Sequence, residues 1–435
     1  GFGHSRLSII DLSASGHQPM LDKERDLAII FNGEIYNFLD LRKKLTKYGY
    51  VFKSTSDTEV LLAAYDYWGT DCLTYLNGMF AFAIFDGKSK RVVLARDPAG
   101  QKPLFYHFKN GSLKFASELK GLLADNTLSK TINPIALDCY LSMGFVPGDL
   151  CILKGFNKLP PAHAMVLDVT KGSMEIWPYW KVPNFDGNSS NEPYGENIEL
   201  SLLDDLENLL EEAVARSMVS DAPLGVLLSG GIDSSLVTAM AAKRAKNVRT
   251  FTITFPGYGQ TNEAQHAKLI ANHFKTDHTE LAADEYTADL IPQIVKQFDE
   301  PIIDSSMIPT WILSELVSKH CKVVIGGDAG DELFGGYNHY SRLLLLQKYF
   351  SLTPPLIRNI IVSCSKLLPF GSKLRNYLRC LDQNLYANLP MTANYFDPVT
   401  RSELLPQYAY HEDAESIWRQ RIPTAQDLMQ SATKM

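Results

Sequence analysis

Two short strings carry most of the chemistry open to this chain. Ser229-Gly230-Gly231-Ile232-Asp233-Ser234-Ser235 follows the apolar run 224–228 and precedes a helical pattern. Glycines there let backbone N–H groups approach an anion closely, and a helix start adds its positive end. Ser229, Ser234 and Ser235 supply hydroxyl donors, so the loop suits the phosphates of a nucleotide. Asp233 alone would repel a phosphate; holding Mg²⁺ against the phosphates gives it a use. The lysine of a GxxxxGK[ST] loop is missing. A Gly-Gly turn capped by serines is the plainer alternative, and the strand–loop–helix setting disfavours it. The second string, Gly326-Gly327-Asp328-Ala329-Gly330-Asp331-Glu332, follows another short apolar run. Its three carboxylates in five positions repel one another unless a cation or proton intervenes. If both strings leave the same sheet edge, Asp233 and Asp331 can bracket one Mg²⁺. The alternative is a surface acidic turn.

Such loops need a parallel sheet. Strand-like runs at 224–228, 248–255, 278–281 and 321–325 alternate with helical patterns at 234–245, 263–274, 286–297 and 308–319. Short apolar strands alternating with helices predict a parallel sheet covered on both faces, with ligands where strands end and helices begin. The first 180 residues read differently, as an α+β layer structure on antiparallel strands. Hairpins are expected at 81–95 around Asp86-Gly87 and at 104–116 around Asn110-Gly111, pairs that supply the positive φ of tight turns. A strand at 27–31 precedes helices at 39–47 and 57–68, the latter capped by Asp57. Proline, glycine, serine and asparagine crowd 182–197, which reads as a linker. An amphipathic helix follows, with Leu203, Leu206, Leu210, Ala213 and Val214 on one face. Residues 341–435 read as mostly helical. The stretch 341–380 holds seven basic residues and no acidic one, which favours a solvated helical face over a basic docking surface.

Size and composition bound the rest. A chain of 435 residues and 48.6 kDa suggests two or three domains. We divide it into 1–181, a linker 182–200, and 201–435. With 45% hydrophobic and 21% charged residues it is ordinary globular protein, which excludes disorder, collagen and a disulfide scaffold. A formal charge of −7 argues against a chain-wide grip on nucleic acid. No apolar run approaches the roughly 18 residues of a membrane helix. The six cysteines form no CxxC and no metal-ligand spacing, so reduced core thiols in an intracellular, cytoplasmic protein are expected. His163, His266 and Trp311 read as packing or surface groups.

The loop at 229–235 resembles the pyrophosphate-binding loop of ATP pyrophosphatases, which activate an acid by adenylation. Upstream lie Arg6-Leu7-Ser8-Ile9-Ile10-Asp11, Gly16-His17-Gln18-Pro19, Phe31-Asn32-Gly33-Glu34-Ile35-Tyr36-Asn37, Ser56-Asp57-Thr58-Glu59, Gly78-Met79-Phe80-Ala81-Phe82 and Arg96-Asp97. Together with the two loops, they make residues 3–340 resemble the glutamine-hydrolysing asparagine synthetase family. The resemblance implies an α+β glutaminase-like domain of the Ntn-hydrolase type with antiparallel sheets, followed by an α/β parallel-sheet ATP-pyrophosphatase domain. It implies that Arg6 pairs with the glutamine carboxylate and that Glu34 and Asp57 hold its amino group. Asn32 and the Gly33 N–H would form the oxyanion hole. Leu227, Ile253, Gly326 and Gly327 would join Ser229, Gly230, Gly231, Asp233, Ser234 and Ser235 around ATP. Asp233 and Asp331 would hold Mg²⁺. Asp328 stands where many relatives have a catalytic Glu. The implied reaction converts aspartate, ATP and glutamine to asparagine, AMP, pyrophosphate and glutamate, with ammonia passing through a shielded internal path. Glutamine, aspartate and ATP are then the partners, with no nucleic acid and no membrane; a homodimer is allowed but not dictated.

The family's nucleophile is an N-terminal cysteine, expected a few dozen residues before Gly1, and its catalytic lysine is expected beyond Met435. None of the six cysteines present lies near the start, so the stretch as given is expected not to hydrolyse glutamine. Glu300-Pro301, Asp304-Ser305-Ser306 and Pro309 are expected to shape the acid pocket, without an arginine for a substrate carboxylate. The competing readings are an adenylating ligase or cyclase for another acid, an inactive fragment or pseudoenzyme, and a thiolation enzyme that would leave residues 1–180 unexplained.

Overall fold

The computed structural model describes residues 1–183, 196–255, 263–283, 289–365, 367–369, 371–372, 375–381, 395–406, 414 and 417. Most of the expected linker, and the start of the helix expected at 286–297, lie outside the described residues.

In the first half, β1 (Met20–Asp22) and β2 (Leu27–Ile35) lead to α1 (Phe38–Lys47) and α2 (Asp57–Trp68). Then come β3 (Gly78–Asp86), β4 (Arg91–Arg96), β5 (Phe105–Lys109), β6 (Ser112–Ala116), α3 (Leu119–Leu122) and α4 (Pro134–Met143). The half closes with β7 (Asn157–Lys158), β8 (His163–Asp168) and β9 (Ser173–Pro178). Six strands form one antiparallel sheet in the order β1-β2-β3-β4-β8-β9, and β6-β5-β7 form a second. The period-2 alternation of β3 builds both faces. Phe80, Phe82 and Ile84 pack with Leu41, Leu45, Val60 and Leu61 of the two helices. Ala81 and Ala83 face the other way, where their small side chains admit Leu104, Tyr106, Leu159 and Met165.

Three local expectations are corrected here. β2 does not stop at Phe31. It runs on through Asn32-Gly33-Glu34-Ile35 because all of it pairs with β3. Only glycine fits at position 33, where φ is 151° and a Cβ would lie 2.0 Å from the Met79 carbonyl oxygen. The cap of α2 is Ser56, whose Oγ accepts from the Thr58 N–H, while Asp57 turns inward and accepts from the Ile35 N–H at 3.1 Å. At the first hairpin the positive φ falls on Lys90, not on Asp86-Gly87. Gly87 serves close approach instead: its N–H donates to the Asp26 carbonyl at 2.8 Å, and a Cβ would run into the Asp26 carboxylate. At the second hairpin Asn110 and Gly111 both take positive φ, as expected.

The second half begins with α5 (Glu196–Ser217) and continues through β10 (Leu224–Leu227), α6 (Ile232–Arg244), β11 (Arg249–Thr254), α7 (Ala264–Phe274), β12 (Asp277–Ala282), α8 (Leu290–Gln297), α9 (Met307–Ser318) and β13 (Val323–Ile325). The four strands are parallel, in the order β12-β11-β10-β13. Val214, Met240 and Ala241 of α5 and α6 pack with Val226 in one core, and Val317 of α9 packs with Phe251 and Leu281 in another. The expected apolar face of α5 packs through Leu210 and Val214 near its C-terminal end, whereas Leu203 in its early turns is exposed, and Ala213, expected on the same face, is exposed as well. A helix of this length spans about 33 Å, whereas the four-residue β10 spans about 13 Å, so the early turns outrun the sheet.

After β13 come α10 (Gly330–Phe334), α11 (Asn338–Leu352), α12 (Pro355–Ser365), α13 (Arg375–Arg379) and α14 (Pro398–Leu404). The solvated basic face expected here fails at Arg375 and Arg379, which are buried and ion-paired with Asp397. Five cysteines are buried, as expected of core thiols, whereas Cys364 is exposed. The chain then returns to the first half. The Tyr395 N–H donates to the Ser142 carbonyl at 2.7 Å, and buried Arg401 pairs with buried Asp138 at 2.7 Å. Among the described residues no helix is long and apolar enough to cross a membrane.

Candidate functional site

A cavity of about 640 Å³ opens in the first half, and Arg6, Asn32, Gly33, Glu34 and Asp57 all line it. Arg6 is held by two backbone carbonyls, donating through Nη1 to Asp11 at 2.9 Å and through Nη2 to Ile10 at 2.6 Å. It lies over Gly16, where a Cβ would sit 2.5 Å from the guanidinium. That fixes the plane of the fork while using two of its five donors. Asn32 donates through Nδ2 to Ser117 Oγ at 3.2 Å.

Glu34 and Asp57 are both buried. Glu34 Oε1 has no hydrogen-bond partner. Burial pushes the Glu34 carboxyl up to about 7, with the Asp57 charge adding to the effect and Lys102 opposing it. Burial likewise lifts Asp57 to about 6, against N–H bonds from Ile35 and Thr58 and the Arg6 charge. A guanidinium and a pair of poorly compensated carboxylates in one cavity suit a zwitterion, with its anionic group at Arg6 and its cationic group at the acids.

The second candidate site lies on the parallel sheet. β10 and β13 are neighbours, with Val226 opposite Ile325, so the loops at 229 and 326 leave the same edge. Ser229 Oγ and Ser234 Oγ are 2.9 Å apart, and Ser229 Oγ also accepts from the Gly231 N–H at 3.2 Å. Gly230 has φ 86°, and a Cβ there would lie 2.7 Å from the Ala267 nitrogen, so the loop rests on α7. Gly231 caps α6 without a side chain to satisfy its first N–H groups, and Ser235 Oγ is buried with no partner. An N-terminus in that condition favours an anion.

The acidic loop closes over this one. A Cβ on Gly330 would lie 2.6 Å from Asp233 Cγ, and one on Gly327 2.8 Å from Asp233 Cβ, so both glycines are needed for the approach. Asp328 folds back over Gly326, beside Leu227. Ala329 sits at φ 70°, a left-handed conformation costing an alanine roughly 1–2 kcal/mol. Ile253 packs with Ile294 and Ile312 near the end of β11. The expected bracketing by Asp233 and Asp331 is met only in part. Asp233 touches the residue before Asp331, but the Asp331 carboxylate is turned against Gly336. Among the described residues no three metal-ligating side chains come together.

Comparison with known proteins bears on both halves. Residues 1–180 match the family model of the glutamine amidotransferase domain, and residues 205–434 match that of asparagine synthase. A putative glutamine-hydrolysing asparagine synthetase of Methanocaldococcus jannaschii is 36% identical over 356 residues, covering 78% of this chain and 67% of that protein. This chain belongs to the glutamine-hydrolysing asparagine synthetase family. Asparagine synthetase 1 of Bacillus subtilis is 34% identical over 94% of this chain and 63% of its own length. A Penicillium rubens protein named amidase chyE is 30% identical over 79% of this chain and 52% of its own. The chain thus spans about two thirds or less of the length of these relatives.

For this asparagine synthetase family member, sequence reasoning missed Lys102 and Ser117, both of which line the cavity. Lys102 is delivered by Arg96-Asp97. Buried Asp97 accepts from the Phe80, Gln101 and Lys102 N–H groups at 3.1, 2.9 and 3.0 Å, and Arg96 donates to the Gly100, Lys102 and Leu159 carbonyls. Arg96-Asp97, read from the sequence only as part of the resemblance, is thus a turn-former, and the charged group follows it. Glu300 is a correction in the other direction. Instead of shaping an acid pocket it crosses to the first half, accepting from the Ile152 N–H at 2.8 Å and pairing with Lys158 at 2.7 Å. Asp304 accepts from the Ser306 N–H at 2.8 Å, just ahead of α9.

Proposed function

We propose that the complete protein is a glutamine-dependent asparagine synthetase. It would adenylate aspartate with ATP and amidate it with ammonia from glutamine, giving asparagine, AMP, pyrophosphate and glutamate. One observation carries this reading: a pocket holding a guanidinium and two buried acids, and a nucleotide-type loop pair, occur in a single chain of the family. We assign the first task to residues 1–181 and the second to 201–435, joined by 182–200. Arg6 would take the glutamine carboxylate, and Glu34 and Asp57 its ammonium. Asn32 Nδ2 and the Gly33 N–H would stabilise the oxyanion of the tetrahedral intermediate. No cysteine lines the cavity, so the nucleophile would come from outside the given stretch.

ATP would lie on Ser229, Gly230, Gly231, Ser234 and Ser235, with Leu227, Ile253, Gly326 and Gly327 around the nucleoside. The unpartnered Ser235 hydroxyl and the open start of α6 fit a phosphate chain. Asp233 and Asp331 are hard oxygen donors that fit Mg²⁺, an ion that usually keeps phosphate and water ligands besides one or two carboxylates. Bound there, Mg²⁺ would neutralise phosphate charge. Asp328 would act on the activated acid and its attack by ammonia. We place the enzyme in the cytoplasm, where reduced cysteines persist.

The test supplies the full-length protein with MgATP, aspartate and an ammonium salt, and measures AMP and asparagine together. Equal formation of both is expected. The lack of an arginine in 300–309 favours one second reading, a ligase for a different acid; AMP formation with such an acid but not with aspartate would establish it and sink the first.

A further inference from the structure

Each wall of the first-half cavity is fastened by a carboxylate from the second half. On one side is Asp221, in the turn before β10. Its Oδ2 accepts from the Asp11 N–H at 2.7 Å, and its own N–H donates to the Ile9 carbonyl at 3.0 Å. Arg6 rests on this same stretch, donating to the Ile10 and Asp11 carbonyls. Asp11, held at φ 55°, passes the contact on: its Oδ2 accepts from the Thr55 N–H at 3.0 Å, two residues before Asp57. On the other side is Asp299, just after α8. It accepts from the Leu119 and Lys120 N–H groups at 2.8 and 3.1 Å, capping α3 from across the interface. Ser117, immediately before that turn, is the acceptor for Asn32.

Resting on the synthetase reading, we propose that Asp221 and Asp299 are positioning residues that couple occupancy of the nucleotide edge to the affinity of the glutamine pocket. Asp221 leads through β10 straight into the Ser229 loop, so a shift of that strand on nucleotide binding moves the peptide beneath Arg6. Bonds from a carboxylate to N–H are charge-assisted and directional, which lets them transmit displacement. Any coupling is reciprocal, since one free energy links both sites.

The experiment uses the full-length enzyme and reads the KM for glutamine in glutamate formation, with and without MgATP and aspartate. The wild type is expected to bind glutamine roughly fivefold more tightly with both ligands present. Asp221→Ala and Asp299→Ala should each bring that ratio near one while ammonia-dependent asparagine formation persists, which also certifies folding. Asp221→Asn keeps an amide oxygen for the Asp11 N–H and should restore the response. A merely structural contact would alter the KM for glutamine equally with and without MgATP and aspartate, leaving the ratio unchanged. An unaltered ratio in both alanine variants, or a ratio of one in the wild type, overturns the proposal. Failure of the wild type to make asparagine from ammonia overturns the functional reading instead, and the coupling with it.

Discussion

The two candidate sites use acidic residues in opposite ways. In the first half, Glu34 and Asp57 are each 5% exposed, sit on a rigid strand and at a helix start, and leave one oxygen unpartnered. In the second half, Asp233 and Asp331 are only partly buried, Asp328 is exposed, and all three stand among glycines. A buried pair of acids suits one ligand of fixed charge pattern, because an unpaired buried carboxylate is costly. Acids at an open, glycine-rich edge suit a polyanion arriving with a hydrated cation, whose water ligands need room. The first site is built on a strand and a helix start, the second on two glycine-rich loops.

The hardest blow to this contrast would come from Arg6→Lys. Lysine cannot reproduce a planar fork held by two carbonyls, so kcat/KM for glutamine should fall about a hundredfold, as for loss of a charged hydrogen bond. Ammonia-dependent synthesis should be untouched. Equal loss in both assays would mean that the pocket is not separately organised. Ser235→Ala probes the open edge more gently. Removing its hydroxyl should raise the KM for ATP about tenfold, with glutamine hydrolysis unchanged. An unchanged KM for ATP would remove Ser235 from the phosphate site.

The smallest effect is on pH dependence. Binding an ammonium requires ionised acid, and the Glu34 carboxyl is pushed up to about 7. The kcat/KM for glutamine should therefore be about fourfold lower at pH 6.5 than at pH 8, since it reports the free enzyme. Glu34→Gln should shift this acid limb to lower pH. The stability sign is opposite. A raised carboxyl stabilises the fold at low pH, and that contribution is lost as pH rises through about 7. The Tm of wild type relative to Glu34→Gln should fall between about pH 4.5 and 7 and level off above that. A flat difference would mean that Glu34 does not titrate there.

Residue type and spacing suggested the chemistry of the second site, because serines, glycines and acids beside an apolar strand have few uses, whereas the residues of the first-half cavity were picked out only by the family resemblance. The alternating texture of 224–325 likewise yielded the parallel sheet, and Asn110-Gly111 the tight hairpin. What could not be read locally was direction. Asp57 is as good a cap as Ser56 by type, and only the Ile35 N–H across the sheet draws it inward. Asp86-Gly87 carries a turn signal, but the approach of Asp26 decides its geometry. Asp221, Asp299 and Glu300 are single acids without a local pattern. Their partners are far away in sequence, so no window along the chain contains both ends of the bond.

The return of the tail to α4 has a practical consequence for anyone wishing to dissect the molecule. A cut in the segment 182–200 does not release two independent pieces, because Arg401 of the later piece holds Asp138 of the earlier one out of water. Each fragment made alone would expose the apolar patch around that pair, Cys139 on the earlier piece and Ala414 and Ile417 on the later one. Co-expressed, the same fragments should find each other and purify as a nicked heterodimer.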